Sequence, residues 1–80
     1  MSTIYLDVRT SEEFAAGQYP GAVTHDVALI AQGVMPDLPK DADIKVYCRS
    51  GGRAGMATEL MKQAGFQHVE NVGGLADLLQ

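Results

Sequence analysis

Short apolar runs alternate along the chain with stretches whose apolar residues recur at helical spacing. The apolar runs predict strands at residues 4–8, 22–27, 44–48 and 68–72. The helical spacing predicts helices at residues 12–16, 28–33, 54–64 and 75–79. Because strands that alternate with helices build a parallel sheet covered by helices, the pattern predicts the α/β fold class.

The predicted helices carry boundary signals and a face for the core. Thr10 with Glu13 three residues later is a capping-box pattern, and Gly65 follows the end of the longest helix. The apolar face of that helix is expected in the core and comprises Met56, Ala57, Leu60, Met61 and Ala64. Three acidic residues are expected on solvated helix faces: Glu12, Glu13 and Glu59.

Composition narrows the class of protein. The 80 residues suit one domain, and the net charge of −4 argues against nucleic acid or an anionic membrane surface as partner. No apolar run approaches the roughly 18 residues that span a bilayer. Residues 1–9 lack the pattern of a signal peptide, and one cysteine forms no internal disulfide. We therefore expect a reducing, cytoplasmic location, with the periplasm as the alternative if an export signal was removed.

The segment that starts at Cys48 carries the clearest chemical signal, because it joins a predicted strand to the start of a predicted helix. In parallel sheets, ligands bind at the carboxyl ends of the strands, and Cys48 lies at the carboxyl end of the third predicted strand. A thiol attacks as its thiolate, which a helix N-terminus and nearby arginines favour. Paired glycines let successive amides face inward as an anion-binding nest. The loop predicts a nucleophilic Cys48 and a substrate-binding segment of Arg49, Ser50, Gly51, Gly52 and Arg53.

Each of these residues also has a plainer interpretation. A lone cysteine is often a small buried hydrophobe, although such a residue would not need this loop. We expect Arg53 to bind the anionic end of a donor, Arg49 to face solvent at the pocket mouth, and Ser50 either to donate a hydrogen bond or to shape the turn. Two further features have structural interpretations: an Asp7–Arg9 pair at a strand end, and the isolated His25 and His68 as surface or packed residues of open role.

The loop Cys48-Arg49-Ser50-Gly51-Gly52-Arg53 resembles the six-residue active-site loop of single-domain rhodaneses, the thiosulfate sulfurtransferases. Two more segments extend the resemblance over nearly the whole chain. They are Leu6-Asp7-Val8-Arg9 with Glu12-Glu13-Phe14 and Pro20-Gly21-Ala22, and Val69-Glu70-Asn71-Val72-Gly73-Gly74-Leu75. The chain departs from the family where Gln18-Tyr19 replaces His-Ile, and where the usual strand before the first segment is missing. Its shortness is similar to the compact phage shock protein E type.

The resemblance implies a rhodanese-like sheet of four to five strands and a two-step sulfur transfer. Cys48 would take the outer sulfur of thiosulfate as a persulfide and pass it to cyanide or a thiol, without cofactor or metal, as a monomer. A persulfide carrier loaded by a sulfur-relay partner is the alternative. A cysteine-dependent phosphatase or arsenate reductase is disfavoured, because those enzymes need five residues between the Cys and the Arg. Here only four residues separate Cys48 from Arg53, and Ala54 stands where the arginine would have to be.

Overall fold

The computed structural model describes residues 3–80; Met1 and Ser2, where the prediction about an export signal begins, lie outside them. The elements in chain order are β1 (Thr3–Asp7), α1 (Ser11–Ala16), β2 (Val23–Thr24), α2 (Val27–Ala31), β3 (Asp43–Cys48), α3 (Gly52–Gln63), β4 (His68–Gly74) and α4 (Leu75–Leu78). The strands form one sheet in the order β2-β1-β3-β4, and every neighbouring pair is parallel. The α/β prediction with a small parallel sheet is therefore confirmed.

The core lies between the two central strands and α3. Leu6, Ile44 and Val46 are fully buried on the strands, and Met61 is buried on α3. The buried face of α3 runs through Ala54, Ala57, Thr58 and Met61. Met56 lies off this face and is half exposed, so its prediction as a core residue is wrong. Leu60 and Ala64 pack against the core while partly buried.

The second strand is shorter than predicted, and two other elements are longer. β2 ends at Thr24, and Asp26 caps α2, because its Oδ1 accepts the Ala28 N–H at 2.9 Å. Val27, predicted in the strand, is the first residue of that helix. β4 extends two residues further than predicted, to Gly74, and α3 begins at Gly52 instead of Ala54.

The Asp7–Arg9 pair holds the carboxyl end of β1, as predicted. The Arg9 guanidinium donates to both carboxylate oxygens of Asp7, with a shortest distance of 2.6 Å, and to the Gly17 carbonyl oxygen at 2.7 Å. Both side chains are buried. Tyr19 donates its backbone N–H to the Tyr47 hydroxyl at 3.0 Å. These contacts hold the segment that connects β1 to β2 against the carboxyl end of β1 and against β3.

Candidate active site

The candidate site forms where β3 passes into α3. Cys48 is the last residue of β3, and α3 begins at Gly52. Gly51 caps that helix in the left-handed region, with φ of +100°. A side chain at this backbone conformation is strained, whereas glycine adopts it at little cost. The sharp turn brings the first amides of α3 back towards the end of β3.

The sulfur of Cys48 is the point on which these amides converge. Its Sγ accepts the Gly51 N–H at 3.0 Å and the Ala54 N–H at 3.4 Å. Burial raises the pKa of the thiol, but the backbone N–H groups of Ala54, Ser50, Gly51 and Arg53 lower it by more than burial raises it, so the net pKa lies below the ordinary value. The loop therefore has the inward-facing amides that its sequence predicts, and they favour the thiolate.

The Cys48 side chain is also enclosed, since only 1% of it is exposed. One side of it belongs to the apolar core, and the sulfur meets the loop amides on the other. The neighbouring residues Arg49, Ser50 and Gly52 are exposed, while Gly51 and Arg53 are half-buried. Cys48 thus shares the burial of a structural cysteine but has the polar contacts that a structural cysteine does not need.

Arg53 does not present a free guanidinium to the site. Its two terminal nitrogens donate to the carboxylate of Glu13 at 2.7 and 3.1 Å. Hydrogen bonding to Arg53 lowers the pKa of Glu13 to about 2, so the carboxylate stays charged. Glu13 lies on a partly exposed face of α1, with 30% of its side chain exposed, and its capping box with Thr10 is confirmed. No sequence pattern predicted the Arg53–Glu13 pair, because 40 residues separate its members.

Arg49 is exposed and lines an open groove beside the loop. The groove has a volume of about 480 Å³. Its lining residues are Arg9, Glu13, Ala16, Arg49, Leu75, Ala76 and Leu79. Its floor combines apolar side chains with charges of both signs, and the exposed Arg49 is the cation there that has no carboxylate partner within residues 3–80.

The end of β4 braces the loop, a role that the sequence did not reveal. Asn71 donates its Nδ2 to the Gly51 carbonyl oxygen at 3.0 Å, and its Oδ1 accepts the Gly73 N–H at 2.9 Å. Gly74 pairs with Cys48 across the sheet. A Cβ atom on Gly74 would lie 2.1 Å from the Arg49 carbonyl oxygen. The paired glycines at positions 73 and 74 were the available signal of a close backbone approach.

The remaining candidate groups lie outside this arrangement. The His25 ring nitrogen Nε2 is 2.7 Å from the Val34 carbonyl oxygen, and His68 is exposed at the start of β4. Within residues 3–80, no group of three or more His, Cys, Asp and Glu side chains is arranged to hold a metal ion. In the same part of the chain, no helix is long and apolar enough to cross a membrane.

Comparison with known families decides what kind of loop this is. Residues 2–78 match the family model of the rhodanese-like domain. The chain belongs to the rhodanese-like domain family. The matched region contains the three sequence segments that resemble the rhodaneses, so the resemblance is confirmed.

Curated relatives connect this rhodanese-like chain to sulfur transfer. It is 33% identical over 75 residues to the thiosulfate sulfurtransferase PspE of Escherichia coli. The matched region covers 92% of this chain and 72% of PspE. It is 38% identical over 71 residues to a sulfurtransferase of Allochromatium vinosum, covering 89% of the chain and 65% of that protein. The putative sulfur carrier protein YrkF of Bacillus subtilis is 36% identical over 67 residues, covering 84% of the chain and 36% of YrkF.

Solved structures share the fold over nearly the whole rhodanese-like chain. A rhodanese-like domain from Anabaena superposes with a TM-score of 0.87 at 30% identity, covering 98% of this chain and 91% of that one. A rhodanese from E. coli, solved with anions, superposes with a TM-score of 0.75 at 36% identity, covering 95% and 91%. The relatives therefore support sulfur transfer as the general class of chemistry. They include sulfurtransferases and a putative sulfur carrier.

Proposed function

We propose that this protein is a sulfurtransferase in which Cys48 takes a sulfane sulfur from an anionic donor such as thiosulfate and passes it to cyanide or a thiol. The observation that carries the proposal is the convergence of the Gly51 and Ala54 N–H groups on Sγ. These donors stabilise the thiolate before attack and the negative charge of the persulfide after it. The similarity to the thiosulfate sulfurtransferase PspE supports the choice of donor.

The proposed reaction has two displacements. The Cys48 thiolate attacks the outer sulfur of thiosulfate, a new S–S bond forms to Sγ, and the donor's S–S bond breaks with its electron pair leaving on sulfite. Cyanide then attacks the terminal sulfur of the persulfide, producing thiocyanate and restoring the thiolate. Neither leaving group takes a proton, so the scheme needs no general acid, and ping-pong kinetics are expected. The amides that hold the thiolate serve both steps.

The loop geometry favours sulfur over phosphate as the transferred group. Ala54 stands where a cysteine-dependent phosphatase needs its arginine, and its backbone N–H is already used on Sγ. Arg53, the nearest arginine in the helix, is held by Glu13. The start of α3 therefore offers no free guanidinium at the position from which a phosphatase clamps a phosphoryl group. Release of phosphate from an aryl phosphate by the purified protein would contradict this conclusion.

Intact-mass analysis tests the first displacement directly. Incubation with thiosulfate is expected to add the mass of one sulfur atom, and cyanide is expected to remove it. The Cys48→Ser variant should show no added mass, because the hydroxyl is not nucleophilic at neutral pH. Steady-state formation of thiocyanate tests the whole cycle. An unchanged mass of the wild-type protein, in thiosulfate well above millimolar levels, would refute a thiosulfate sulfurtransferase.

One observation favours a persulfide carrier as the second candidate. The Arg53–Glu13 pair cancels the charge of one of the two loop arginines, which weakens attraction for a free dianion. A carrier needs less of that attraction, because a partner protein delivers the sulfur. YrkF shows that the family includes a putative carrier. A persulfide that forms with a cysteine desulfurase and its substrate, but not with thiosulfate, would establish the carrier.

We further propose that the protein acts as a monomer in the cytoplasm, with the periplasm as the alternative. The single cysteine supports a reducing compartment. The acidic net charge argues against a nucleic-acid partner. Cell fractionation of the native protein distinguishes the compartments, and light scattering measures the oligomeric state. Recovery in the periplasmic fraction, or a dimer at micromolar concentration, would replace the respective proposal.

A further inference from the structure

Asn71 on β4 makes two hydrogen bonds to backbone groups, and one of them reaches the cysteine loop. Its Nδ2 donates to the Gly51 carbonyl oxygen at 3.0 Å, and its Oδ1 accepts the Gly73 N–H at 2.9 Å. A carbonyl oxygen only accepts and an N–H only donates, so the two partners fix the orientation of the amide. The side chain therefore ties the loop to the last strand of the sheet.

The tied residue is the one whose N–H is closest to the sulfur. Gly51 donates to Cys48 Sγ at 3.0 Å and occupies the left-handed region. Its carbonyl oxygen also accepts the Gly55 N–H of α3 at 2.9 Å, so Asn71 supplies its second hydrogen bond. Glycine has a wide choice of backbone angles, and a contact that holds its carbonyl restricts that choice. The direction of the Gly51 N–H then depends on the β4 contact.

We propose that Asn71 is a positioning residue, which holds the Gly51 carbonyl so that the loop amides stay aimed at the Cys48 sulfur. Asn71 touches no reacting atom, and it acts through Gly51. The inference deepens the proposed function, because the held amides are those that would stabilise the thiolate and the persulfide. It assigns the last strand a part in setting the reactivity of a cysteine on another strand.

The test compares Asn71→Ala with a control on the same strand. Glu70→Ala removes a neighbouring exposed side chain that pairs with Lys45 on β3, away from the loop. The pKa of Cys48 is measured in each variant from the ultraviolet absorbance of the thiolate and from the pH dependence of iodoacetamide alkylation. Asn71→Asp is a second variant, which keeps the acceptor for Gly73 and loses the donor to Gly51.

Asn71→Ala is expected to raise the pKa of Cys48 by roughly half to one unit, the equivalent of one modest hydrogen bond. Asn71→Asp is expected to raise it further, because it also adds a negative charge. Glu70→Ala should leave the pKa unchanged even if it lowers the melting temperature. An unchanged Cys48 pKa in folded Asn71→Ala or Asn71→Asp would overturn the proposal.

These readouts separate the inference from the proposed function. The Cys48 pKa is measured without any sulfur donor, so a raised pKa in Asn71→Ala would sustain the positioning role even if thiosulfate added no sulfur to the wild-type protein. Conversely, sulfur transfer by the wild-type protein together with an unchanged Cys48 pKa in the Asn71 variants would support the sulfurtransferase and refute the positioning role of Asn71.

Discussion

Gly74→Ala should disrupt the cysteine loop through a single added carbon. A Cβ at this position lies 2.1 Å from the Arg49 carbonyl oxygen, 2.8 Å from its carbon and 3.2 Å from the Ser50 Cα. All three contacts are with backbone, so no side-chain rotation relieves them. Gly74 has φ of −107° and ψ of 160°, an extended conformation that alanine adopts freely. The clash is therefore the whole of the perturbation.

Because the clash is the only perturbation, its cost determines how much stability the Gly74→Ala variant loses. Replacing glycine by alanine at an unstrained position ordinarily stabilises a fold by about 0.4–1 kcal/mol, since it restricts the unfolded chain. Overpacking costs about 1–3 kcal/mol, and a backbone partner places this variant at the upper end, near 3 kcal/mol. For a domain of this size, about 3 kcal/mol lowers the melting temperature by roughly 12–24 °C. The relief must also move the Arg49 carbonyl, and with it the loop amides.

Thermal melting by circular dichroism and alkylation of Cys48 measure the two effects. Gly52→Ala is the matched control for stability, because a Cβ there meets nothing within 4 Å and Gly52 has no positive φ. We expect Gly52→Ala to melt at or above the wild-type temperature. We expect Gly74→Ala to melt far below it, with slower alkylation of Cys48 at neutral pH. A Gly74→Ala protein that melts within a few degrees of wild type and alkylates at the same rate would refute the reasoning.

Three further predictions concern charges. Glu13→Gln keeps an acceptor for the helix cap but frees the charge of Arg53, so KM for thiosulfate should fall severalfold in the thiocyanate assay; an unchanged or higher KM would contradict this. Asp7→Ala leaves the buried Arg9 uncompensated and should cost about 3–5 kcal/mol in urea denaturation, and a loss below ~1 kcal/mol would show the pair to be unimportant. The lowered pKa of Cys48 adds stability that is complete above the unfolded value of 9.0 and is lost as pH falls through the folded pKa. The stability difference between wild type and Cys48→Ser should therefore widen as pH rises towards 9.0, and a difference independent of pH would contradict the shift.

The parts of the site that were predictable from the sequence are local. Cys48 and Gly51 are three residues apart, and a strand followed by glycines and a helix start leaves few ways for the chain to turn. The inward amides could be predicted from that turn, although Asn71 on β4 also contacts the loop. The Asp7–Arg9 pair was also accessible, because its members lie two residues apart at a strand end. In each case short spacing fixes the geometry before the fold is known.

The unpredicted parts depend on how distant segments meet. Glu13 reaches Arg53 only because α1 and α3 both begin at the carboxyl edge of the sheet, and 40 residues separate the two. Asn71 reaches Gly51 because β4 pairs in parallel with β3, with an irregular register that places Gly74 opposite Cys48. The early end of β2 was missed because Asp26 as a cap competes with the strand propensity of Val27.

The pairing of Cys48 with Gly74 has a consequence for how the protein is made. During synthesis the cysteine leaves the ribosome well before the strand that braces its loop, so the nascent polypeptide carries an ordinary thiol. With Asn71 as the positioning residue that we propose, the lowered pKa of Cys48 is reached only when β4 adds to the sheet edge. The order of the elements along the chain thus delays the chemistry until β4 is in place, and a translation product that ends before β4 would carry a cysteine of ordinary reactivity.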